Sequence, residues 1–226
     1  MKVFVTGVAG QLGHDVMNEL KKRGYEGIGS DLAPEYAGVQ DGSAVTTMPY
    51  VPLDITDKEA VEKVLTECRP DVVIHCAAWT AVDLAEDEDK MGKVRAINAG
   101  GTENIAKVCK EINAKLMYIS TDYVFNGEGE RPWQPDDTVT IPLNEYGYSK
   151  YLGEQAVQKY VKDFYIVRIA WVFGINGKNF VKTMLNVGKN HDTVRVVNDQ
   201  IGTPTYTFDL ARLLVDMIET DKYGIY

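Results

Sequence analysis

Tyr146 and Lys150 are four residues apart in a segment with a helical pattern, and that spacing places two side chains on one face of a helix. A neighbouring cation favours the phenolate, so the lysine is expected to lower the pKa of the tyrosine. Its hydroxyl then becomes a better proton donor and acceptor near neutral pH. In a chain with 13 tyrosines, about one such pair is expected by accident. The pair therefore predicts proton-transfer chemistry only where a further group joins it.

Thr121 is the candidate for that further group, because it follows a predicted strand that ends at Ile119 and Ser120. The Tyr146–Lys150 pair opens the next predicted helix. Doubly wound folds place their ligands at the carboxyl ends of the strands. We therefore expect the hydroxyls of Thr121 and Tyr146 to lie close to Lys150 at the carboxyl end of the sheet, where the three residues would form a catalytic group.

Gly7, Gly10 and Gly13 lie directly between a predicted strand, Lys2–Thr6, and a predicted helix that runs from Leu12 to Lys22. In that position the first glycine permits a tight turn, the second lets the backbone approach a pyrophosphate, and the third lets helix and strand pack closely. The spacing is G-x-x-G-x-x-G rather than the commoner G-x-G-x-x-G, and the alternative is three plain turn residues. The strand–loop–helix context favours a dinucleotide site.

Asp31 follows at the end of the predicted second strand, Tyr25–Ser30, where a carboxylate hydrogen-bonds the adenosine ribose. An ordinary turn aspartate is the alternative. No lysine or arginine lies between Gly24 and Asp57, so no cation in that segment would neutralise a 2′-phosphate. We expect NADH to serve at least as well as NADPH, with Asp54 near the adenine.

The surrounding pattern alternates strands with helices, which predicts a parallel sheet covered by helices on both faces. The fold class is thus α/β, a doubly wound, Rossmann-like sheet. Further strands are predicted at Asp71–Cys76, Lys115–Ile119 and Phe164–Ile169, and helices after a Thr56–Glu59 capping box, at Asp87–Glu111 and at Glu145–Lys162.

Composition excludes several classes of protein. The 226 residues are 45% hydrophobic and 25% charged, with a net charge of −9 and no basic run, which argues against nucleic-acid and anionic-membrane surfaces. No apolar run is long enough to span a membrane, and the first residues form a strand rather than a signal peptide. We expect a cytoplasmic protein, a monomer or a homodimer.

Metal chemistry has no support in the sequence. The cysteines (Cys68, Cys76 and Cys109) show no ligand or redox spacing and fit a reducing cytoplasm. The histidines (His14, His75 and His191) are scattered, so packing or surface positions are expected. The acidic run Glu86–Asp89 is interpreted as the first turn of a helix rather than as a calcium loop.

Six longer motifs point to a particular protein family. They are Ala77–Asp83, Ser120–Gly127, Pro142–Gly147, Arg168–Gly174, Asn179–Val181 and Asp199–Thr205. In this order they resemble the extended short-chain dehydrogenase/reductase family, and within it the dTDP-4-dehydrorhamnose reductases, over essentially the whole chain. Trp79 departs from the residues usual at its position.

The resemblance implies a role for each matching residue. Tyr146 would donate a proton to the C4 carbonyl of a nucleotide-linked deoxysugar, Lys150 would hold the nicotinamide ribose, and Thr121 would tune the hydrogen bonding. The residues implied in substrate binding are Thr121, Asp122 and Trp171. Those implied along NADH or NADPH are Gly7, Gly10, Gln11, Leu12, Gly13, Asp31, Asp54, Ile55, Ala77, Ala78, Trp79, Tyr146 and Lys150. Asn98 matches a structural asparagine, with a solvent-facing helix residue as the alternative.

The domain expectation also follows from the resemblance. Residues 1–170 and 198–226 are expected to form the dinucleotide-binding domain, and residues 171–197 a segment of a small, incomplete substrate-binding lobe. The family continues beyond the position of Tyr226, so the remainder of the lobe is expected to be missing.

The predicted activity is NAD(P)H-dependent reduction of a 4-keto-6-deoxysugar nucleotide, giving dTDP-L-rhamnose. One alternative is a nucleotide-sugar epimerase or 4,6-dehydratase on the same fold, although Tyr123 stands where related dehydratases carry an acidic residue. The other is a catalytically silent regulatory subunit resembling that of methionine adenosyltransferase. Intact Thr121, Tyr146 and Lys150 favour an enzyme.

Overall fold

The computed structural model describes residues 1–226, and a seven-stranded parallel sheet runs through it in the order β3-β2-β1-β4-β5-β6-β9. The strands are β1 (Lys2–Thr6), β2 (Glu26–Asp31), β3 (Tyr50–Pro52), β4 (Val72–His75), β5 (Lys115–Thr121), β6 (Phe164–Ile169) and β9 (Gly224–Ile225). The order reverses between β1 and β4, which is where a doubly wound sheet opens a crevice at the carboxyl ends of its strands. The predicted fold class is confirmed.

Helices cover both faces of this sheet. They are α1 (Gln11–Lys22), α2 (Ala44–Thr47), α3 (Lys58–Cys68), α4 (Glu88–Arg95), α5 (Thr102–Ile112), α6 (Glu145–Tyr160), α7 (Phe180–Asn190) and α8 (Thr207–Ile218). On one face α1 and α8 pack over alternate strand residues such as Val5 and Ile74. On the other face α3, α5 and α6 bury the intervening ones, such as Phe4 and Val73. None of the helices is long and apolar enough to span a membrane.

One helix prediction needs correction and another gains detail. The expected capping box is displaced by one residue: Asp57, not Thr56, caps α3 by accepting the Ala60 N–H at 3.0 Å, because the Thr56 hydroxyl donates to Asp54 instead. The helical stretch expected over Asp87–Glu111 is present without a break, as α4 and α5 joined by a π-helical turn, Ala96–Gly101. Such wide turns occur often at functional sites.

A smaller unit lies between β6 and α8. Its two strands, β7 (Val172–Phe173) and β8 (Thr205–Tyr206), pair in parallel outside the main sheet. Helix α7 lies between them along the chain and buries none of its residues. This unit begins where the predicted substrate-lobe segment begins, whereas α8 returns to pack against α1 in the main core.

Candidate active site

A cleft of about 830 Å³ opens at the carboxyl ends of the strands of the main sheet. The predicted site residues that line it are Gly7, Gly10, Gln11, Leu12, Gly13, Asp31, Asp54, Ile55, Ala77, Ala78, Thr121, Asp122, Tyr146, Lys150 and Trp171. The exception is Trp79, which is absent from the lining. Residues from six loops thus converge in one cavity of the size that holds a cofactor or ligand.

The glycine loop fits the role predicted for it. Gly7 has φ of 72°, and a Cβ built there would lie 2.7 Å from the Ala77 nitrogen. A Cβ on Gly13 would lie 2.4 Å from the Gly7 carbonyl oxygen. Side chains are therefore excluded at both positions, and the first residues of α1, Gln11 and Leu12, line the cleft directly behind the loop.

A second loop packs onto the glycine loop. Asn176 donates from Nδ2 to the Gly10 carbonyl at 3.1 Å, and Asn179 donates to Gln11 Oε1 at 2.9 Å. These contacts bring Gly177 and Lys178 into the cleft lining. Lys178 is a cationic lining residue that the sequence analysis missed, although it directly precedes the Asn179–Val181 motif.

At the end of β2 the Asp31 carboxylate accepts the Ala9 N–H at 2.9 Å and the Leu32 N–H at 2.8 Å. Asp54 accepts the Thr56 N–H at 2.9 Å. Beside Asp31, the Ser30 hydroxyl is buried without a hydrogen-bond partner and its residue lines the cleft. An anchored carboxylate, an orphaned hydroxyl and a side-chain-free loop fit the adenosine and pyrophosphate of a dinucleotide.

Tyr146 lies in the first turn of α6. Asn144 caps this helix by accepting the Gly147 N–H at 2.7 Å, and Tyr146 and Lys150 both face the cleft. Tyr148, by contrast, lies over Arg95 outside it. The helical register predicted from the sequence therefore places Tyr146, rather than Tyr148, in the cleft.

The expected lowering of the Tyr146 pKa is not observed. Burial raises the pKa of Tyr146 to about 12, against the opposing effect of a hydrogen bond with Thr121. Burial likewise lowers the pKa of Lys150 to about 7. Both shifts have one cause, because a low-dielectric site disfavours the charged form of either group. Near neutral pH the phenol therefore carries its proton, as a proton donor must.

Lys150 is held in place by aromatic and acidic neighbours. Its Nζ lies 4.1 Å from the ring centroid of Tyr118. One turn further along α6, the fully buried Glu154 favours the charged lysine. Glu154 itself is paired with Arg168 at 2.8 Å and accepts the Ser120 hydroxyl at 2.6 Å. Lys150 thus borders a buried polar network formed by Glu154, Arg168 and Ser120.

Thr121 ends β5 and Asp122 follows it. The threonine hydroxyl donates to the Asp122 carboxylate at 3.1 Å and accepts the Tyr123 N–H at 3.2 Å. Burial raises the pKa of Asp122. The ring of Tyr123 packs edge-on against that of Tyr146, with centroids 5.7 Å apart. These contacts place a hydroxyl and a carboxyl group near the phenol.

Asn98 is buried, not solvent-facing: it is 1% exposed, within the π-helical turn. Its side chain accepts the Trp79 N–H at 2.8 Å and donates to the Trp79 carbonyl and to Ser149 Oγ. Trp79 itself turns its indole N–H to the Ala81 carbonyl. The asparagine therefore clamps the loop after β4 to α6.

Trp171 lies across the cleft with 48% of its surface exposed. Its φ of 46° is in the left-handed region, which is rare for an aromatic residue. A Cβ added to Gly202 would lie 2.8 Å from its indole ring. Strained residues of this kind cluster at ligand sites, which agrees with a position against the substrate.

A parallel doubly wound sheet, a glycine loop after β1 and a Tyr–Lys pair opening α6 define the extended short-chain dehydrogenase/reductase class. Within it, the chain belongs to the family described as RmlD substrate binding domain, whose model matches residues 1–226.

Curated and solved relatives agree with this assignment. The chain is 43% identical over 209 residues to a dTDP-4-dehydrorhamnose reductase of Streptomyces griseus, covering 92% of this chain and 62% of that protein. A crystal structure of a dTDP-4-dehydrorhamnose reductase from Clostridium acetobutylicum superposes with a TM-score of 0.86 at 43% identity, covering 99% of this chain and 72% of that one. A crystal structure of the Bacillus anthracis dTDP-4-dehydrorhamnose reductase in complex with NADP superposes with a TM-score of 0.84 at 38% identity. The match covers 99% of this chain and 73% of that one. The chain thus spans about two thirds of the length of these relatives.

Proposed function

We propose that this protein reduces the 4-keto group of dTDP-4-dehydro-6-deoxy-L-mannose to dTDP-L-rhamnose, with NADH or NADPH as reductant. One observation carries the proposal: Tyr146, Lys150 and Thr121 line the same cleft as the glycine loop and Asp31. The names of the relatives support the same activity. Kinship and the chemistry of the site together support the choice of substrate.

The nicotinamide, when bound, supplies the hydride. Tyr146 delivers the proton to the carbonyl oxygen, and its raised pKa of about 12 keeps the phenol protonated until substrate is in place. Thr121, which lines the same cleft as the phenol, would orient the hydroxyl. Lys150 offers its ammonium group to ribose hydroxyls and stabilises the phenolate left after proton transfer.

The pyrophosphate would lie on the glycine loop, with Asp31 at the adenosine ribose and Lys178 as a nearby cation. On the substrate side, Asp122 and Trp171 would contact the deoxysugar, and residues 171–197 would form part of its lobe. We propose the cytoplasm as the location, and a monomer or homodimer as the assembly.

Turnover assays separate this function from its alternatives. With dTDP-4-dehydro-6-deoxy-L-mannose and NADH, a reductase consumes the reduced nicotinamide steadily and forms dTDP-L-rhamnose. A 4,6-dehydratase or epimerase would convert its nucleotide sugar without net loss of NADH. A regulatory subunit would bind NADH tightly and consume none. Absence of consumption alongside tight binding would refute the proposed reductase activity.

A further inference from the structure

His75, the last residue of β4, is buried between Thr6 of β1 and Thr102 of α5. It is 1% exposed and does not line the cleft. Its Nδ1 lies 2.7 Å from the Thr6 hydroxyl and its Nε2 lies 3.1 Å from the Thr102 hydroxyl. Both ring nitrogens thus have partners, on β1 and on α5.

The partners determine which nitrogen carries the proton. Thr102 donates its hydroxyl proton to the Asn98 carbonyl at 2.7 Å, so it must accept from His75 Nε2–H. Thr6 accepts the Ala77 N–H at 3.1 Å, which leaves its own hydroxyl proton for Nδ1. Burial lowers the pKa of His75 to about 3, so the ring is neutral at neutral pH.

Two connections lead from this ring to α6. Through Thr102 it reaches Asn98, whose side chain donates to Ser149 Oγ at 3.0 Å, and Ser149 donates to the Tyr146 carbonyl at 2.7 Å. Through ring contact, with centroids 5.7 Å apart, it reaches Tyr118. The Tyr118 hydroxyl donates to the Lys150 carbonyl at 3.3 Å.

We propose that neutral His75, as the Nε2–H tautomer, is a positioning residue that holds the Tyr146–Lys150 turn of α6 in register with the glycine loop. This rests on the proposed reductase function for its kinetic consequence only. The Thr6 and Thr102 hydroxyls each accept one hydrogen bond and donate one. All donors in the network therefore point the same way, from the Ala77 N–H through His75 to the Asn98 carbonyl. Replacing the imidazole by an apolar ring leaves the hydroxyls of Thr6 and Thr102 each short of one partner.

The first test is spectroscopic and needs no turnover. In the wild-type chain, ¹⁵N spectra of His75 should show a protonated Nε2 and an unprotonated Nδ1, unchanged between pH 5 and pH 9. The opposite tautomer, or a ring that titrates in this range, would overturn the proposal.

The second test compares His75→Phe with His75→Gln, whose amide can again donate to Thr102. For His75→Phe we expect kcat to fall at least tenfold while KM for the sugar nucleotide stays within threefold. We also expect faster amide hydrogen exchange at residues 146–150 under native conditions. His75→Gln should recover part of the lost kcat and part of the lost protection from exchange.

Thr102→Val should slow turnover as His75→Phe does. In the double variant of His75→Phe and Thr102→Val, the two losses of kcat should not add.

A role in folding alone predicts a different result: lower thermal stability with unchanged kcat per folded molecule, unchanged exchange in α6 and no rescue by glutamine. That result would overturn the proposal. If the wild-type chain consumes no NADH, the proposed function fails, and the tautomer and exchange measurements still decide the role of His75.

Discussion

The ammonium nitrogen of Lys150 lies 4.1 Å from the ring centroid of Tyr118, on the inner side of α6. An aromatic face favours a cation, but burial outweighs it and lowers the pKa of the lysine to about 7. Lysine and tyrosine are therefore both shifted toward their neutral forms, and the lysine has the pKa nearer to neutral pH.

This shift predicts the pH dependence of the reaction. If the charged ammonium holds the ribose, kcat/KM for NADH should be constant below about pH 7 and fall as pH rises through that value, because kcat/KM reports groups of the free enzyme. The fall should approach tenfold per pH unit. A steady-state profile from pH 5.5 to 9 measures it. A rate that stays flat across this range would show that the charge of Lys150 is not required.

Tyr146→Phe should abolish turnover and leave NADH affinity nearly unchanged, because the hydroxyl is required only for proton transfer. A positioned acid contributes about 10²–10⁴-fold. NADH binding is measured by fluorescence and turnover by loss of nicotinamide absorbance. Tyr148→Phe is the matched control, since this ring lies over Arg95 outside the cleft. Loss of activity in the control but not in Tyr146→Phe would contradict the assignment.

Trp171→Ala should raise KM for the sugar nucleotide and leave NADH affinity alone, because the half-exposed indole offers an apolar wall to the methyl group of a 6-deoxysugar. We expect an increase of roughly tenfold, which corresponds to about 1.4 kcal/mol of lost apolar contact. Trp133→Ala is the control, since that ring stacks on Phe125 and does not line the cleft. Equal losses for both ligands would mark Trp171 as a packing residue.

NADH should be used at least as well as NADPH. Asp31 accepts hydrogen bonds from an unmodified ribose but repels a 2′-phosphate, at a cost of about 1 kcal/mol for two charges ~4 Å apart in water and more in a cleft. Arg23 does not offset this, because its guanidinium is held by Glu19 at 2.7 Å and by Asp216 at 2.5 Å.

The measurement is kcat/KM for each cofactor at saturating sugar nucleotide. Asp31→Ala should shift selectivity toward NADPH, whereas Glu26→Ala, at the other end of β2, should leave it unchanged. A tenfold wild-type preference for NADPH, or an Asp31→Ala variant with unaltered selectivity, would refute the prediction.

His75 also predicts the acid stability of the fold. Its pKa is about 3 when folded against an ordinary 6.5, so the unfolded chain binds the additional proton. The contribution to stability is complete above pH 6.5 and is lost as pH falls toward 3, by at most about 1.4 kcal/mol per pH unit. Urea unfolding of wild type and His75→Gln at pH 7 and pH 4.5 measures this contribution. Between the two pH values, the free energy of unfolding should fall less in His75→Gln than in wild type. For His191→Gln, a change at an exposed residue, it should fall as much as in wild type.

Much of the site could be predicted from local sequence because its chemistry is carried by short motifs at fixed positions in a regular fold. Apolar runs define the strands, and parallel strands deliver their carboxyl ends to one edge. Gly7, Asp31, Thr121 and the Tyr146–Lys150 pair therefore converge in one cleft, as the spacing predicted. The doubly wound architecture follows from the same alternation.

Other features depended on contacts between residues far apart in the chain, which no local pattern records. Lys178 reaches the cleft only because Asn176 and Asn179 bind the glycine loop, more than 160 positions earlier in the sequence. His75 is a polar residue in unremarkable sequence surroundings, and only the packed structure reveals the groups that satisfy both it and Asn98. The ionisation of Tyr146 and Lys150 was likewise decided by burial: the sequence predicts a charge interaction between neighbours, whereas the fold sets the dielectric environment in which both charges are disfavoured.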